Sequence, residues 1–296
     1  MIGFLDTAAA TAIELADYYE GLKIEGYVRD QTVTVEYRWA ESDYSRLAAL
    51  AADLVARKVS LITAIGVAAA LAAKSATTTI PIVFAVGPDP VELGLIPSLD
   101  RPGGNLTGVT DMASGRERKR LELLHELIPS ATALALLVNP KHPAAETQAR
   151  DGLAAARAFG VELKVIRAGA GSEFDAAFAE LAQSHAGGLA IGDDELFLNA
   201  GAHLATLAGQ HAVPAIFQGK AFAAAGGLAS YGSNLTETYH QAGTYSGLVL
   251  KGAAPADLPV YQSTRIEFIV NLRSAYSLGI AVPPAVLGQA TELIRY

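Results

Sequence analysis

The sequence predicts an α/β protein of two doubly wound lobes, each on a parallel sheet, joined by three chain crossings. Three observations carry this. Short apolar runs alternate with helical patterns along most of the chain, the pattern of βαβ units with right-handed crossovers. The layout then repeats. Ile80-Pro81-Ile82-Val83-Phe84 resembles Val213-Pro214-Ala215-Ile216-Phe217, and Gly103-Gly104-Asn105-Leu106-Thr107-Gly108 resembles Gly226-Gly227-Leu228-Ala229-Ser230-Tyr231. Finally, the pieces after Leu235 are too few to bury a third core, so they are shared between the lobes. Crossings are expected near Thr110–Ser114, Tyr231–Asn234 and Leu258–Thr264, giving lobes of residues 1–111 with 232–258 and 112–231 with 259–296.

In chain order, Ile2–Leu5 is the first strand, followed by a polar-small loop, Asp6–Thr11. Ile13, Leu15, Tyr19 and Leu22 mark a helix that ends near Gly26. Val33–Trp39 alternates as a strand, and Ser42 or Asp43 caps a helix over Tyr44–Arg57. Ser60–Ile65 is a strand, Gly66 turns it, and Val67–Lys74 is helical. Ile80–Ala85 is a compact β-branched run, as buried parallel strands are. Val86-Gly87-Pro88-Asp89-Pro90 stops it, because two prolines and a glycine cannot continue a strand. Leu106–Thr110 completes the first set. The second set is helix Arg116–Leu127, strand Ala133–Val138, helix Ala144–Phe159, strand Val161–Ile166, helix Phe174–Gln183, strand Gly188–Ile191, helix Leu196–Gln210, and strands Pro214–Phe217 and Leu228–Tyr231. Helix Leu235–Leu250, strand Thr264–Leu272 and helix Ser274–Leu278 form the tail.

The 296 residues suffice for two domains, and 51% hydrophobic content suffices for their cores. The net charge of −8, without a basic tail or charge block, argues against nucleic acid as a partner. The absence of cysteine removes thiolate metal sites, disulfides and cysteine nucleophiles, and suits an oxidising compartment. The most apolar stretch, Leu61–Ala73, is too short to span a membrane. No signal peptide is visible, which is what a mature N-terminus carrying an added Met1 would look like. No Gly-x-Ser-x-Gly elbow, P-loop or Gly-x-Gly-x-x-Gly fingerprint is present, and the six histidines show no ligand spacing, so no cofactor or metal is expected.

In open α/β sheets, ligands bind outside the carboxyl ends of the strands. Asp89, on the loop after Gly87, is the leading candidate, as partner of a ligand ammonium or hydroxyl; the alternative is an Asx turn that fixes the loop. Asp6-Thr7-Ala8 lies between strand and helix, where N–H groups bind carboxylates, and Thr7 is the better donor because Asp6 opposes an anion. Helix capping is the competing role. Gly66-Val67-Ala68 offers the same helix start with no side-chain competitor. In the second lobe, Asn139 and Asp193 follow strands, with a turn before Pro140 and complementarity to a helix dipole as their structural roles. Asp194 and Glu195 are assigned to that dipole. Gln218 follows the strand ending at Phe217, and Tyr231 at a crossing can stack on a ligand ring or pack the hinge. Arg116, Arg118, Lys119 and Arg120 read as a solvated helix face with Glu117 and Glu122 as partners.

Taken together, several stretches are similar to one family: Gly26-Tyr27 with Val35–Ala40, Leu47–Val55, Ala72–Phe84, Asp89-Pro90-Val91, Leu93-Gly94-Leu95, Arg101–Thr110, Lys119–Leu124, Val138-Asn139-Pro140 and Ala224–Leu228. Over nearly its full length the chain resembles ABC transporter substrate-binding proteins of the tryptophan/tyrosine type. The resemblance implies the type I periplasmic binding protein fold, α/β with two Rossmann-like lobes and three hinge crossings. It implies a periplasmic or membrane-tethered, monomeric receptor that catalyses nothing. Such a receptor captures a small molecule between the lobes by hinge closure and delivers it to a permease with a separate ATPase subunit. Relatives bind aromatic amino acids. Where the family often has a Thr or Ser after the third strand, this sequence has Ile65-Gly66-Val67-Ala68-Ala69. Apolar Val67 therefore points to a small, partly apolar carboxylate: an aromatic or branched amino acid, or an aromatic acid. The alternatives are an α/β enzyme acting on a small metabolite and a sensor domain presenting the ligand to a signalling partner. A repressor would carry a helix-turn-helix before the first strand, and none is present.

Overall fold

A computed structural model of the chain describes residues 1–8, 11–112 and 115–295. Ala9 and Ala10 of the first loop, and Ala113 and Ser114 of the first expected crossing, lie outside the described residues. The elements are β1 (Ile2–Asp6), α1 (Ala12–Ile24), β2 (Val35–Trp39), α2 (Leu47–Ala56), β3 (Leu61–Ile65), α3 (Val67–Ala76), β4 (Ile82–Val86) and β5 (Leu106–Thr110), then α4 (Arg116–Leu127), β6 (Ala133–Val138), α5 (Ala145–Phe159), β7 (Glu162–Arg167), α6 (Phe174–Gln183), β8 (Leu189–Ile191), α7 (Glu195–Asn199), α8 (Gly201–Gln210), β9 (Ala215–Phe217), α9 (Lys220–Ala224) and β10 (Ala229–Ser233). After these come α10 (Leu235–Leu250), β11 (Tyr261–Gln262), β12 (Ile266–Asn271), α11 (Leu272–Ser277), α12 (Pro284–Gln289) and β13 (Glu292–Ile294). The chain divides into two compact units, residues 1–114 with 234–265 and residues 115–233 with 266–296.

The first unit holds a six-stranded sheet in the order β11-β5-β4-β3-β1-β2, with the paired strands parallel. The second holds a seven-stranded sheet, β13-β12-β10-β9-β8-β6-β7, parallel except where β12 runs antiparallel to β10. Read from β2 and from β7, the two orders coincide strand for strand through β5 and β10, so the repeat seen in the sequence is a repeat of topology. Alternation along the strands sorts side chains to opposite faces. In the first unit Leu5, Ile62 and Phe84 join the core under α2 and α3, while Phe4, Leu61 and Val83 join the one under α1 and α10. In the second, Leu137, Ile191 and Phe217 face α6 and α8, while Leu136, Ala190 and Ile216 face α4 and α5.

Two expectations are corrected. The helix expected over Leu196–Gln210 is two helices, broken at Ala200, which ends α7 and whose carbonyl accepts the N–H of Leu204 in α8. Tyr261–Gln262, expected in the second lobe, pairs with the end of β5 and lies in the first unit, held by the Ser263 N–H on the Thr110 carbonyl at 2.8 Å.

Helix α10 belongs to the first unit although 119 residues of the other unit, 115–233, separate it from β5. It is fastened to α1 by near backbone contact. A Cβ on Gly21 would lie 2.0 Å from the His240 carbonyl oxygen, and one on Gly243 2.0 Å from that of Tyr18. No larger residue fits without separating the helices. Gly243→Ala is therefore expected to lower the unfolding free energy by about 1–3 kcal/mol or more in urea titration. Gly209→Ala, a helical position where an added Cβ meets nothing within 4 Å, should instead gain roughly 0.5–1 kcal/mol. Wild-type stability in Gly243→Ala would contradict the close packing.

Candidate functional site

In the first unit the carboxyl edge of the sheet gathers Asp6, Thr7, Gly66, Val67, Ala68, Gly87 and Asp89. Asp6 ends β1 opposite Ile65 of β3, and Gly66 donates its N–H to the Ala85 carbonyl of β4 at 2.9 Å. Asp6 is buried, accepts the Ala8 N–H at 2.8 Å, and takes the Tyr239 hydroxyl on its other oxygen at 3.5 Å. Thr7, expected as a ligand donor, is fully buried. Its hydroxyl donates to the Ile65 carbonyl and accepts the Ala69 N–H, each at 3.3 Å, and its own N–H also goes to Ile65. Thr7 thus caps α3 from a neighbouring strand.

That cap is needed because Gly66, at φ +90°, has no side chain to supply one. The first intrahelical bond of α3 is from Ala70 to Gly66 at 3.0 Å. The N–H groups of Val67 and Ala68 have no intrahelical acceptor, and they stand at the positive end of the helix dipole. Val67 as a whole is 2% exposed and its side chain belongs to the core, so what this turn can offer a ligand is its backbone N–H groups, with Ala68 the more exposed of the two.

Asp89 is half-buried. Its Oδ1 accepts the Val91 N–H at 2.8 Å in an Asx turn, while Oδ2 has no partner among the described residues. The loop is pinned by Thr110, whose hydroxyl lies within donating distance of the Gly87 and Pro88 carbonyls at 3.2 and 3.1 Å. At the end of β2, Glu41 and Ser42 adopt positive φ of 55° and 63°, and the Ser42 N–H donates to the Thr7 carbonyl at 2.8 Å. Consecutive non-glycine residues in that region mark a constrained loop beside the same edge.

The second unit has its own carboxyl edge. Asn139 is buried, its Oδ1 accepting the Lys141 N–H at 2.9 Å, the turn role considered for it. Asp194 caps α7 through the Leu196 N–H at 2.8 Å. His142, Asp194 and Glu195 each place one donor atom within 4.8 Å of the others, but His142 Nδ1 already accepts the Ala144 N–H and Asp194 Oδ1 serves the cap. Gln218 is half-buried, with no side-chain partner among the described residues, and its backbone packs so closely on Gly232 that a Cβ there would lie 2.3 Å from the Gln218 carbonyl oxygen. The Tyr231 ring packs edge-on to Phe268 at 6.2 Å, the packing role.

Asp193 is committed inward. It pairs at 2.5 Å with Arg120, which is fully buried and also donates to the Tyr231 carbonyl at 2.9 Å and the Ile191 carbonyl at 3.4 Å. The solvated basic face expected on α4 is corrected here. Arg116 and Glu117 are buried as well, Arg116 bonding the Ser233 hydroxyl, whereas Arg118 is exposed as expected and half-buried Lys119 pairs with Glu122 at 3.0 Å. Residues 117, 120, 121 and 124 follow the i, i+3, i+4, i+7 spacing of a helix face turned to a core. That spacing, with two charges inside it, is the signal by which Arg120 could have been found. Burial pushes the Glu117 carboxyl up to about 7, with Asp193 adding to the rise and Arg120 opposing it.

A sequence model of the family described as ABC transporter substrate binding protein matches residues 10–294. A curated relative, the tyrosine-binding protein of Clostridioides difficile (strain R20291), is 28% identical over 254 residues, covering 86% of this chain and 73% of that protein. Among solved structures, an ABC domain in complex with L-Trp from Streptococcus pneumonia has 26% identity and a TM-score of 0.88, covering 99% of both chains. A conserved domain protein from Vibrio cholerae has 25% identity and a TM-score of 0.90, covering 99% of this chain and 98% of that one.

The buried charges give a pH signature. A folded-state value for Glu117 above its ordinary 4.5 means stability that is full below 4.5 and is lost as pH rises through about 7. The loss is on the order of 3 kcal/mol. Glu117→Gln should flatten the fall of unfolding free energy between those pH values, and unchanged slopes would contradict the assignment. Arg120→Ala, which strands buried carboxylates, should cost about 3–5 kcal/mol at neutral pH.

Proposed function

The chain belongs to the ABC transporter substrate binding protein family, and from that premise we propose that it captures a small, partly apolar carboxylate: an aromatic or branched amino acid, or an aromatic acid. The observation that carries the reading is the start of α3. Two N–H groups, at Val67 and Ala68, stand at the positive end of a 10-residue helix, with the nearest hydroxyl, that of Thr7, turned inward. Such a turn receives a carboxylate through backbone donors. The tyrosine-binding and L-Trp-bound relatives support the aromatic amino acids as the first ligands to test.

In this reading Asp89 Oδ2 accepts from the ligand ammonium while Oδ1 holds the Asx turn. The aromatic cluster of Phe4, Tyr37 and Trp39 stands on β1 and β2 of the same unit. The protein acts outside the cytoplasm with a permease and a separate ATPase, as a receptor without catalysis. Its relatives are solute-binding proteins, which are not enzymes.

A thermal-shift screen over L-tryptophan, L-tyrosine, L-leucine and indole-3-acetate tests the ligand class. A true ligand at a hundredfold excess over its Kd adds about 2.7 kcal/mol to stability. No stabilisation by amino acids or aromatic acids would overturn the ligand class, and steady turnover of a hit would favour an enzyme. By calorimetry, Asp89→Ala should weaken an amino acid ligand about tenfold, the loss of one charge-assisted hydrogen bond, and leave an aromatic acid without an ammonium unaffected. Equal affinity for both would reduce Asp89 to its turn.

A further inference from the structure

The second unit carries a cavity of about 440 Å³ at the edge of its sheet opposite to Asp193 and Gln218. Val213 and Leu228, the residues before β9 and β10, lie in its wall, so it sits at the amino-terminal ends of those strands. The turns after α8 and α9 supply alanines and glycines, and Leu278 adds apolar surface from beyond α11. The charged groups in the lining are Arg273 and Arg295; among the described residues it contains no aspartate or glutamate.

In a chain with 30 acidic and 22 basic residues, several guanidinium groups find carboxylates. Arg38, Arg46, Arg57, Arg120, Arg150 and Arg167 all do. Arg273 and Arg295 are exposed and have no acidic partner among the described residues. Ser277 stands beside them, its hydroxyl donating to the Arg273 carbonyl at 3.0 Å and so leaving lone pairs, not a proton, toward the cavity. Asn271 donates one amide hydrogen to the Ala223 carbonyl at 2.8 Å and accepts from the Ser274 N–H at 3.0 Å. The charged donors in the lining are the two arginines. A concave site of this size, lined by apolar residues together with two cationic ones, has the composition of a small-molecule site.

We infer that this cavity is a second binding site, for a small amphipathic anion that sets a carboxylate or phosphate against Arg273 and Arg295 and an apolar body on Val213, Leu228 and Leu278. The guanidinium fork matches both headgroups in geometry and charge. The site is independent of the ligand proposed for the opposite edges, since no residue is shared.

The test is isothermal titration of the full chain with benzoate and with phenyl phosphate, at low ionic strength. Saturable one-site binding is expected with at least one probe, and the tighter of the two identifies the headgroup. Arg273→Glu/Arg295→Glu should weaken that probe at least tenfold. Ala225→Phe, which fills the cavity without altering charge, should weaken it comparably, and Arg150→Glu, which reverses an exposed arginine outside the cavity, should leave it within twofold. Absence of saturable binding by either probe would overturn the site. So would unchanged affinity in both cavity variants, which would place the probe elsewhere. Arginines that only complement the carboxyl ends of α8 and α9 would show as a lowered thermal midpoint in the double variant with wild-type affinity, and that result also overturns the proposal.

Discussion

A parallel sheet covered on both faces by helices has nowhere to meet a ligand except along its edges. The first sheet is of that kind and the second is too apart from antiparallel β12, with apolar side chains sent alternately to two helical layers. Each crossover between parallel strands returns the chain to the amino end, so each of these strands contributes its terminal loop to one edge, whereas β12 ends at the other. Asp6, Gly66 and the Gly87–Asp89 loop are neighbours for that reason alone, although they are far apart in sequence. The shared strand order of the two sheets reproduces the arrangement with Asn139, Asp193 and Gln218 in the second unit.

What the edges present is governed by how the backbone groups there are satisfied. In the first unit Thr7 is used up in closing the junction of β1, β3 and α3 at the Ala69 N–H, and the N–H groups of the two residues before it keep no intrahelical acceptor. In the second unit the equivalent junctions are closed by charge. Arg120 reaches from α4 to carbonyls of β8 and β10 and to Asp193. Buried ion pairs contribute little net stability when compared with apolar packing, but losing one partner is costly. The cluster is better understood as a positional device, holding the ends of β8 and β10 and the start of α4 in one geometry. Glu117, whose carboxyl burial raises in the same cluster, makes the stability of that cluster pH-dependent.

Much of the fold is legible in the residues. Leu106–Thr110, Arg116–Leu127, Ala133–Val138, Phe174–Gln183 and Leu235–Leu250 begin and end where capping residues, glycines and apolar periodicity place them. The break at Ala200 is not legible, because alanine favours helix continuation and the interruption arises from packing. Nor is β11, whose two residues pair only because the chain passes the end of β5. In the site, the positions were readable from strand ends, whereas the commitments of the side chains were not. Thr7 and Asp193 face strand ends as expected but point inward to partners 58 and 73 residues away, Ile65 and Arg120. Charged residues on α4 suggested solvent, since composition carries no information on which face a helix turns to a sheet. Gly66-Val67-Ala68 is readable as a helix start, whereas the burial of the Val67 side chain in the core is not.

The central claim is that the turn opening α3 receives a ligand carboxylate through the amides of Val67 and Ala68. Amide proton shifts of these residues, followed by nuclear magnetic resonance during titration with L-tryptophan, test it most directly. The account predicts saturable downfield shifts at Val67 and Ala68, with the Ala69 amide, already bonded to Thr7, moving least of the three. Saturating binding that leaves Val67 and Ala68 unshifted would contradict it.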